Sequence, residues 1–316
     1  MKLGLRLPQR LGVDLQHDLI EAARTAEAAG YTSLWTYERL LFPQKPIEPY
    51  AEQPNVPWPE HSRQAADPLA VLAAAAVATE KVRLGVSLLV AALHTPVQLA
   101  KALATIDQIS GGRVIAGVGT GWSSDEFKAV GVTRADRGRF LDETLDVFEA
   151  VWGPDPVAFR SPRVVIDNAS VLPKPVSEIP VMLAGGGIDL GRNTKSKAVQ
   201  RIAERADGWL PVMSGPGPAG GAELRASWNR IRDMACEYGR DPSLMQMIVV
   251  GNVTFTDRPA GPDRAAFVGT LDEIIDDVRT AADAGADEVI IDLNLQDWFS
   301  STQQMLETAV EIRERV

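Results

Sequence analysis

Short apolar runs alternate along the chain with longer stretches whose apolar positions recur every three or four residues. This alternation predicts repeated βα units around a parallel sheet. Residues 3–7 predict a first strand. A helix follows with Leu15, Leu19, Ala22, Ala23 and Ala26 on one face, Asp14 as its N-cap and Gly30 just past its end. The second strand is expected at 33–37. After a long loop come a helix at 68–79 and a strand at 82–90. Thr95-Pro96 opens the next helix, with Ala100, Leu103 and Ile106 or Asp107 on its inner edge. A strand at 114–118 precedes a helix carrying Leu141, Leu145, Phe148 and Val151, and residues 157–172 read as a small β excursion. Further strands are expected at 180–183, 208–212, 247–255 and 289–293. Their helices are expected at 194–206 and 222–238, behind the capping-box pair Thr270 and Glu273, and at 303–315.

The helix-to-strand junctions recur. Ala29-Gly30-Tyr31-Thr32-Ser33-Leu34 matches Ala284-Gly285-Ala286-Asp287-Glu288-Val289, and Arg205-Ala206-Asp207-Gly208-Trp209-Leu210 is a looser copy. Eight such units close a barrel. The alternative, a doubly wound open sheet, lacks its dinucleotide fingerprint, because Pro8-Gln9-Arg10-Leu11-Gly12 offers no glycine-rich phosphate turn. The fold class expected is therefore α/β: one (β/α)8 TIM barrel domain over residues 1–316, with insertions after its second and fourth strands.

One helix departs from the pattern. Residues 68–78 are apolar on every side, whereas an outer barrel helix should show a polar face. Double burial by the barrel and a second subunit accounts for this and makes a homodimer the expectation. Cover from the preceding loop is the alternative.

Composition narrows the partners. Of 316 residues 45% are hydrophobic and 23% charged, and the net charge of −10 disfavours nucleic acid and anionic membrane as partners. The single cysteine, Cys236, cannot form an internal disulfide and reads as a small buried helical residue. The first residues read as a strand, not as a signal peptide, and no run approaches a membrane span, so a cytoplasmic location is expected.

In such a barrel, ligands bind in the loops after the strands. After the fifth strand stands Ala184-Gly185-Gly186-Gly187, followed by a helix, an arrangement suited to a phosphate or to a tight turn. Arg192, Lys195 and Lys197 follow, and suit an anionic tail or a solvated face. After the fourth strand, Gly119-Thr120-Gly121 clears space above the barrel mouth and Trp122 can wall a planar ligand. After the second strand come Glu38 and Arg39, a candidate proton donor and anion binder that could equally be a surface ion pair. The loop beyond them contains Pro43, Pro46, Pro49, Pro54, Pro57 and Pro59 with Tyr50 and Trp58 interleaved, and reads as a semi-rigid substrate lid. His17, His61 and His94 fall in no ligand-spaced motif, so each reads as a cap or loop residue and no metal site is expected.

The segment from Leu84-Gly85 through Pro96-Val97-Gln98-Leu99-Ala100-Lys101 to Ser110-Gly111-Gly112-Arg113, continuing into Gly117 to Trp122 and Glu126-Phe127, resembles the bacterial luciferase-like flavin and deazaflavin oxidoreductases. Pro173-Lys174-Pro175, Pro180 to Gly187, Ala206 to Trp209 and Gly269 to Gly285 extend the likeness over nearly the whole chain. The resemblance implies a (β/α)8 barrel with the cofactor ring over its mouth. It also implies a non-proline cis peptide in a bulge of the third strand, by position Ser87–Leu88, and a cofactor phosphate held after the fifth strand at Gly185 to Gly187. Many deazaflavin-using relatives have an acidic residue followed by His after the second strand, where this chain has Glu38-Arg39. Some sugar-phosphate dehydrogenase relatives carry a catalytic Glu where this chain has Trp122. The overall pattern is similar to an actinobacterial subgroup associated with coenzyme F420.

The expected function is hydride transfer between coenzyme F420 and a small organic substrate. The cofactor-binding set would be Ser87, Leu88, Gly119 to Trp122, Gly185 to Gly187 and Arg192, and the catalytic pair Glu38 and Arg39. An FMN-dependent monooxygenase is the alternative, and a non-catalytic flavin- or deazaflavin-binding protein a third reading. The basic residues after Gly187 favour the more anionic coenzyme F420 over FMN.

Overall fold

Eight parallel staves close into a barrel in the computed structural model, which describes residues 1–53, 55–185, 196–213, 215, 217–295 and 298–316. The chain begins with β1 (Lys2–Arg6), α1 (Asp18–Ala28), β2 (Ser33–Thr36) and α2 (Pro68–Ala78). The third stave is broken into β3 (Arg83–Val86) and β4 (Leu89–Val90), and α3 (Pro96–Ser110) follows. After β5 (Val114–Gly119) come α4 (Ser124–Ala129), α5 (Arg137–Trp152) and an antiparallel hairpin of β6 (Val157–Arg160) and β7 (Val165–Ala169). The chain continues with β8 (Val181–Leu183), α6 (Lys197–Arg205), β9 (Gly208–Trp209) and α7 (Gly217–Glu237). It ends with β10 (Gln246–Asn252), β11 (Thr254–Phe255), β12 (Val268–Gly269), α8 (Leu271–Asp283), β13 (Glu288–Asp292) and α9 (Thr302–Arg315). Around the barrel the order is β3, β2, β1, β13, β10, β9, β8, β5, and the pairing of β3 with β5 closes the ring. The two insertions expected after the second and fourth strands are the loop from 37 to 67 and the α4 to β7 segment.

Strands buried on both faces read as continuous apolar runs, as β5 does, whereas β13 carries an apolar run from Val289 to Ile291 between the buried Glu288 and Asp292. The barrel interior is filled by Trp35, Ile115, Met182, Leu210, Ile248, Val250 and Ile290. Trp35 fits because its neighbour in register on β3 is Gly85, where a Cβ would lie 2.3 Å from the indole ring. At the base, Glu288 is fully buried and accepts from Ser33, from Trp35 Nε1 at 3.3 Å and from Arg83 Nη2 at 2.6 Å. The Ser-Gly-Gly-Arg segment that ends α3 does structural work. Gly111 adopts the left-handed φ of 72° that stops the helix. Arg113 then donates to the carbonyls of Ala76, Thr79 and Val82, which pins the end of α2 to the start of β5.

Several local expectations shift. Asp14 does not cap α1; its Oδ1 accepts from Gln16 N at 2.9 Å, closing a turn of its own, and the helix starts at Asp18 with no side-chain cap. The third strand is two pieces, and the peptide Ser87–Leu88 between them is cis, as the resemblance implies. The expected seventh strand ends at Asn252, and Thr254 and Phe255 pair instead with Val268 and Gly269. Cys236 is exposed on α7, not buried. The Thr270–Glu273 capping box is present.

Candidate active site

The break in the third stave shapes the barrel mouth. Leu88 and Val90 face a cavity of about 210 Å3 that Arg6, Tyr37, Glu38, Ser87, Trp122 and Asn252 also line. Apolar side chains from Leu210, Val212 and Val250 contribute its floor. Of the expected site residues, Glu38, Arg39, Ser87, Leu88, Gly121 and Trp122 all border this one space. Gly119, at the end of β5, packs beside Leu88, and Thr120 follows it. Gly185 follows the lining residue Ala184, and its carbonyl accepts from Trp209 Nε1 at 3.2 Å. Gly186, Gly187, Arg192 and Lys195 lie outside the described residues. Lys197 is exposed at the start of α6, whose first turn has no side-chain cap.

Glu38 is the one carboxylate among the described residues lining the cavity. Its position just past β2 aims it across to β4. Oε2 accepts from Val90 N at 2.6 Å, and Oε1 lies 2.6 Å from His94 Nε2. Burial works against a charged His94 ring. The hydrogen bond and charge of Glu38, with Asp67 beyond, more than offset it and hold the ring's pKa above the ordinary histidine value. His94 therefore belongs to the site through Glu38. Sequence reasoning read it as a cap or loop residue because 56 residues separate the partners.

Arg39 borders the cavity beside the aromatic side chains. Its guanidinium carbon lies 4.9 Å from the ring centroids of both Trp58 and Trp122, and Nη1 is 3.3 Å from Glu126 Oε2. Glu126 also accepts from Leu40 N at 2.7 Å, and its burial raises its pKa against the pull of Arg39. Tyr50 meets both indoles edge-on at 5.6 and 5.7 Å. A second clasp lies outside this cluster: Glu48 accepts from Ser124 and pairs with Arg134 at 3.0 Å. The loop after β2 is thus an aromatic wall fastened to the segment after β5. The proline-rich loop expected as a substrate lid is held against that segment by these contacts.

Under the cavity, Arg6 Nη1 pairs with the buried Asp292 Oδ2 at 2.5 Å, while Nη2 donates to Ser87 O at 2.9 Å and Ser87 Oγ at 3.1 Å. Arg6 Nε and Asn252 Oδ1 are buried with no hydrogen-bond partner among the described residues. Unpaired buried polar atoms at a cavity wall await a polar ligand. A planar ring with apolar faces and an edge of imide and carbonyl groups suits this floor and these atoms, so the residues present fit a flavin or deazaflavin ring.

Residues 1–261 match the family described as luciferase-like monooxygenase. An uncharacterised protein of Mycobacterium tuberculosis is 33% identical over 192 residues, 60% of this chain and 65% of that protein. An F420-dependent glucose-6-phosphate dehydrogenase of Amycolatopsis mediterranei is 30% identical over 204 residues, 63% of this chain and 54% of the enzyme. The matches thus span just under two thirds of the first of these relatives and about half of the second. Among solved structures, a monooxygenase from Streptomyces bottropensis shares the fold with a TM-score of 0.77 at 18% identity, covering 100% of this chain and 98% of its own. An F420-dependent secondary alcohol dehydrogenase in complex with an F420-acetone adduct also has a TM-score of 0.77, at 19% identity, with coverage of 100% and 98%.

Proposed function

We propose, from the premise that this chain belongs to the luciferase-like monooxygenase family, that it transfers a hydride between coenzyme F420 and a small organic substrate. The observation that carries the reading is the Glu38 carboxyl at the cavity wall, where Oε2 accepts from Val90 N and Oε1 shares a hydrogen bond with His94 Nε2. A positioned acid–base group suits hydride transfer, because the substrate must gain or lose a proton as it gains or loses the hydride. The F420-dependent relative supports the cofactor assignment. The two structural likenesses do not discriminate, since an oxygenase and a dehydrogenase match equally well.

When bound, the deazaflavin supplies two-electron hydride chemistry at its ring carbon. The chain supplies the rest. Leu88, Val90 and Val250 give the ring an apolar seat, and the unpaired Asn252 amide oxygen can accept from an imide N–H. Residues from Gly185 to Lys197 would hold the phosphate and anionic tail, with the uncapped first turn of α6 as an anion-binding end. Glu38 gives or takes the substrate proton. The charge of Arg39 is already met by Glu126 and two indoles, so its part is to hold the aromatic wall that keeps water out. No helix among the described residues is long and apolar enough to cross a membrane.

A side-by-side fluorescence titration with coenzyme F420 and FMN tests the assignment. Binding of coenzyme F420 at micromolar concentration, weakened by Arg192→Ala, is the expected result. A preference for FMN would replace hydride transfer with oxygen-dependent chemistry, and binding of neither would remove the proposal.

A further inference from the structure

A proton that moves at Glu38 needs a route. The aromatic wall of Tyr50, Trp58 and Trp122 stands on one side of the cavity, and the Glu38 side chain keeps only 7% of its surface open. Among the described residues lining the cavity, the other ionisable groups are poor carriers. Arg6 and Arg39 carry guanidinium groups, which do not give up protons in proteins. Burial pushes the phenols of Tyr37 and Tyr50 up from their ordinary value.

Behind Glu38, one group among the described residues is suited to the task. His94 caps the short turn after β4, places Nε2 2.6 Å from Glu38 Oε1, and keeps 20% of its side-chain surface open. It bridges the buried carboxylate and the outside, with two ring nitrogens that can bind a proton on one side as the other releases one. The charged groups acting on the pair are Asp67, at the N-cap of α2, on the His94 side, and Glu126 with its partner Arg39 on the Glu38 side. The raised pKa of His94, set by the hydrogen bond and charge of Glu38, favours the protonated ring.

We propose that His94 is the positioning and proton-exchange residue of the site, through which Glu38 regains or sheds the proton it exchanges with the substrate. The inference rests on the hydride-transfer reading. In the reductive direction the O–H bond of Glu38 breaks as a bond from hydrogen to a substrate atom forms. Nε2–H of His94 then breaks as the Glu38 O–H re-forms, and the ring takes a proton from water. Oxidation runs the same transfers in reverse.

Two measurements decide it. The chain has three histidines, so ring resonances of the intact protein can be assigned with His17→Asn, His61→Asn and His94→Gln variants. In Glu38→Gln the His94 titration should fall by about one pH unit or more. A midpoint unmoved by Glu38→Gln overturns the pairing, whether or not any cofactor binds. The second measurement uses reduced coenzyme F420 with cyclohexanone and 2-cyclohexen-1-one as probes. His94→Gln should cut kcat about tenfold or more, leave KM and coenzyme F420 affinity within about twofold, and remove the wild-type pH limb. Added imidazole should restore turnover in His94→Ala. Wild-type kcat and pH profile in His94→Gln would overturn the relay. If the wild type bound no coenzyme F420, the functional reading would fail and the titration alone would judge the pair.

Discussion

Arg6 and Asp292, from the first and last strands of the barrel, meet in an ion pair of 2.5 Å with side-chain exposures of 7% and 0%. The pair closes the barrel seam, and Arg6 also reaches the Ser87 carbonyl and hydroxyl at the broken stave. Removing one partner strands the other in a low-dielectric site. Asp292→Ala should therefore cost about 3 kcal/mol in urea unfolding. The double variant Arg6→Met, Asp292→Leu should recover most of that loss while removing the groups that fix Ser87. A single variant as stable as wild type would show that the buried charge is met in some other way.

Arg39 lies between Trp58 and Trp122 as the central bolt of the aromatic wall. A cation–π contact between partly desolvated groups contributes roughly 0.5–2 kcal/mol. Arg39→Ala should then raise the open population of the loop about tenfold. Limited tryptic proteolysis at Arg63 reads that population, since Lys45 is followed by Pro46 and resists cleavage. Faster cleavage with an unchanged global melting temperature is the expected pattern, and an unchanged cleavage rate would remove the clasp from the account.

Gly121 adopts a φ of 68°, and a Cβ there would lie 2.4 Å from Val90 Cγ1. Val90 N is the donor that fixes Glu38 Oε2, so a local clash reaches the proposed acid–base group. Gly121→Ala should destabilise by about 1–3 kcal/mol, and should also lower turnover more than its loss of stability explains. Full turnover in this variant would uncouple the glycine from Glu38.

Much of this was readable in the chain and some was not. The apolar runs and the Gly30 and Gly285 junctions laid out the staves, because strand burial and helix termination are local properties. The Thr270–Glu273 capping box was legible for the same reason. The positions of Glu38 and Trp122 followed from the rule that strands deliver residues to one end of the barrel, and that of Leu88 from the family resemblance. Pairings across the barrel were not legible. Nothing local tells His94 to face Glu38, or Arg6 to face Asp292, since closure alone brings them together. Asn252 was missed because a lone amide carries no sequence signal, and its unpaired oxygen shows only in the fold. Asp14 misled because a turn and a helix N-cap use the same side-chain chemistry.

The Glu38–His94 pair gives stability its own pH dependence. The folded pKa of His94 lies above its unfolded value, so protonation favours the folded state. That contribution is complete below about pH 6.5 and disappears as pH rises through the folded value. Burial raises the Glu126 pKa and acts in the same direction, so the comparison with a variant is needed to isolate His94. Melting temperatures of wild type and His94→Gln, taken from about pH 5 to about pH 9, should converge as the solution becomes alkaline. Parallel curves would mean that His94 does not titrate with folding.

The last expectation concerns α2. Its inner face buries Val71, Leu72, Ala75 and Ala76, yet Val77 on the outer side is 78% exposed and Ala70 is exposed with it. The preceding loop, the other candidate cover, does not reach Val77. An apolar helix face of this kind on a chain of net charge −10 is best covered by an equivalent face, since a twofold axis makes one small patch complementary to itself. Light scattering at micromolar concentration should return twice the chain mass of 34.1 kDa. Val77→Lys places two like charges near such an axis and should shift the protein to the single-chain mass without lowering its monomer stability. A wild type already at the single-chain mass would leave α2 an uncovered apolar face and end the case for a dimer.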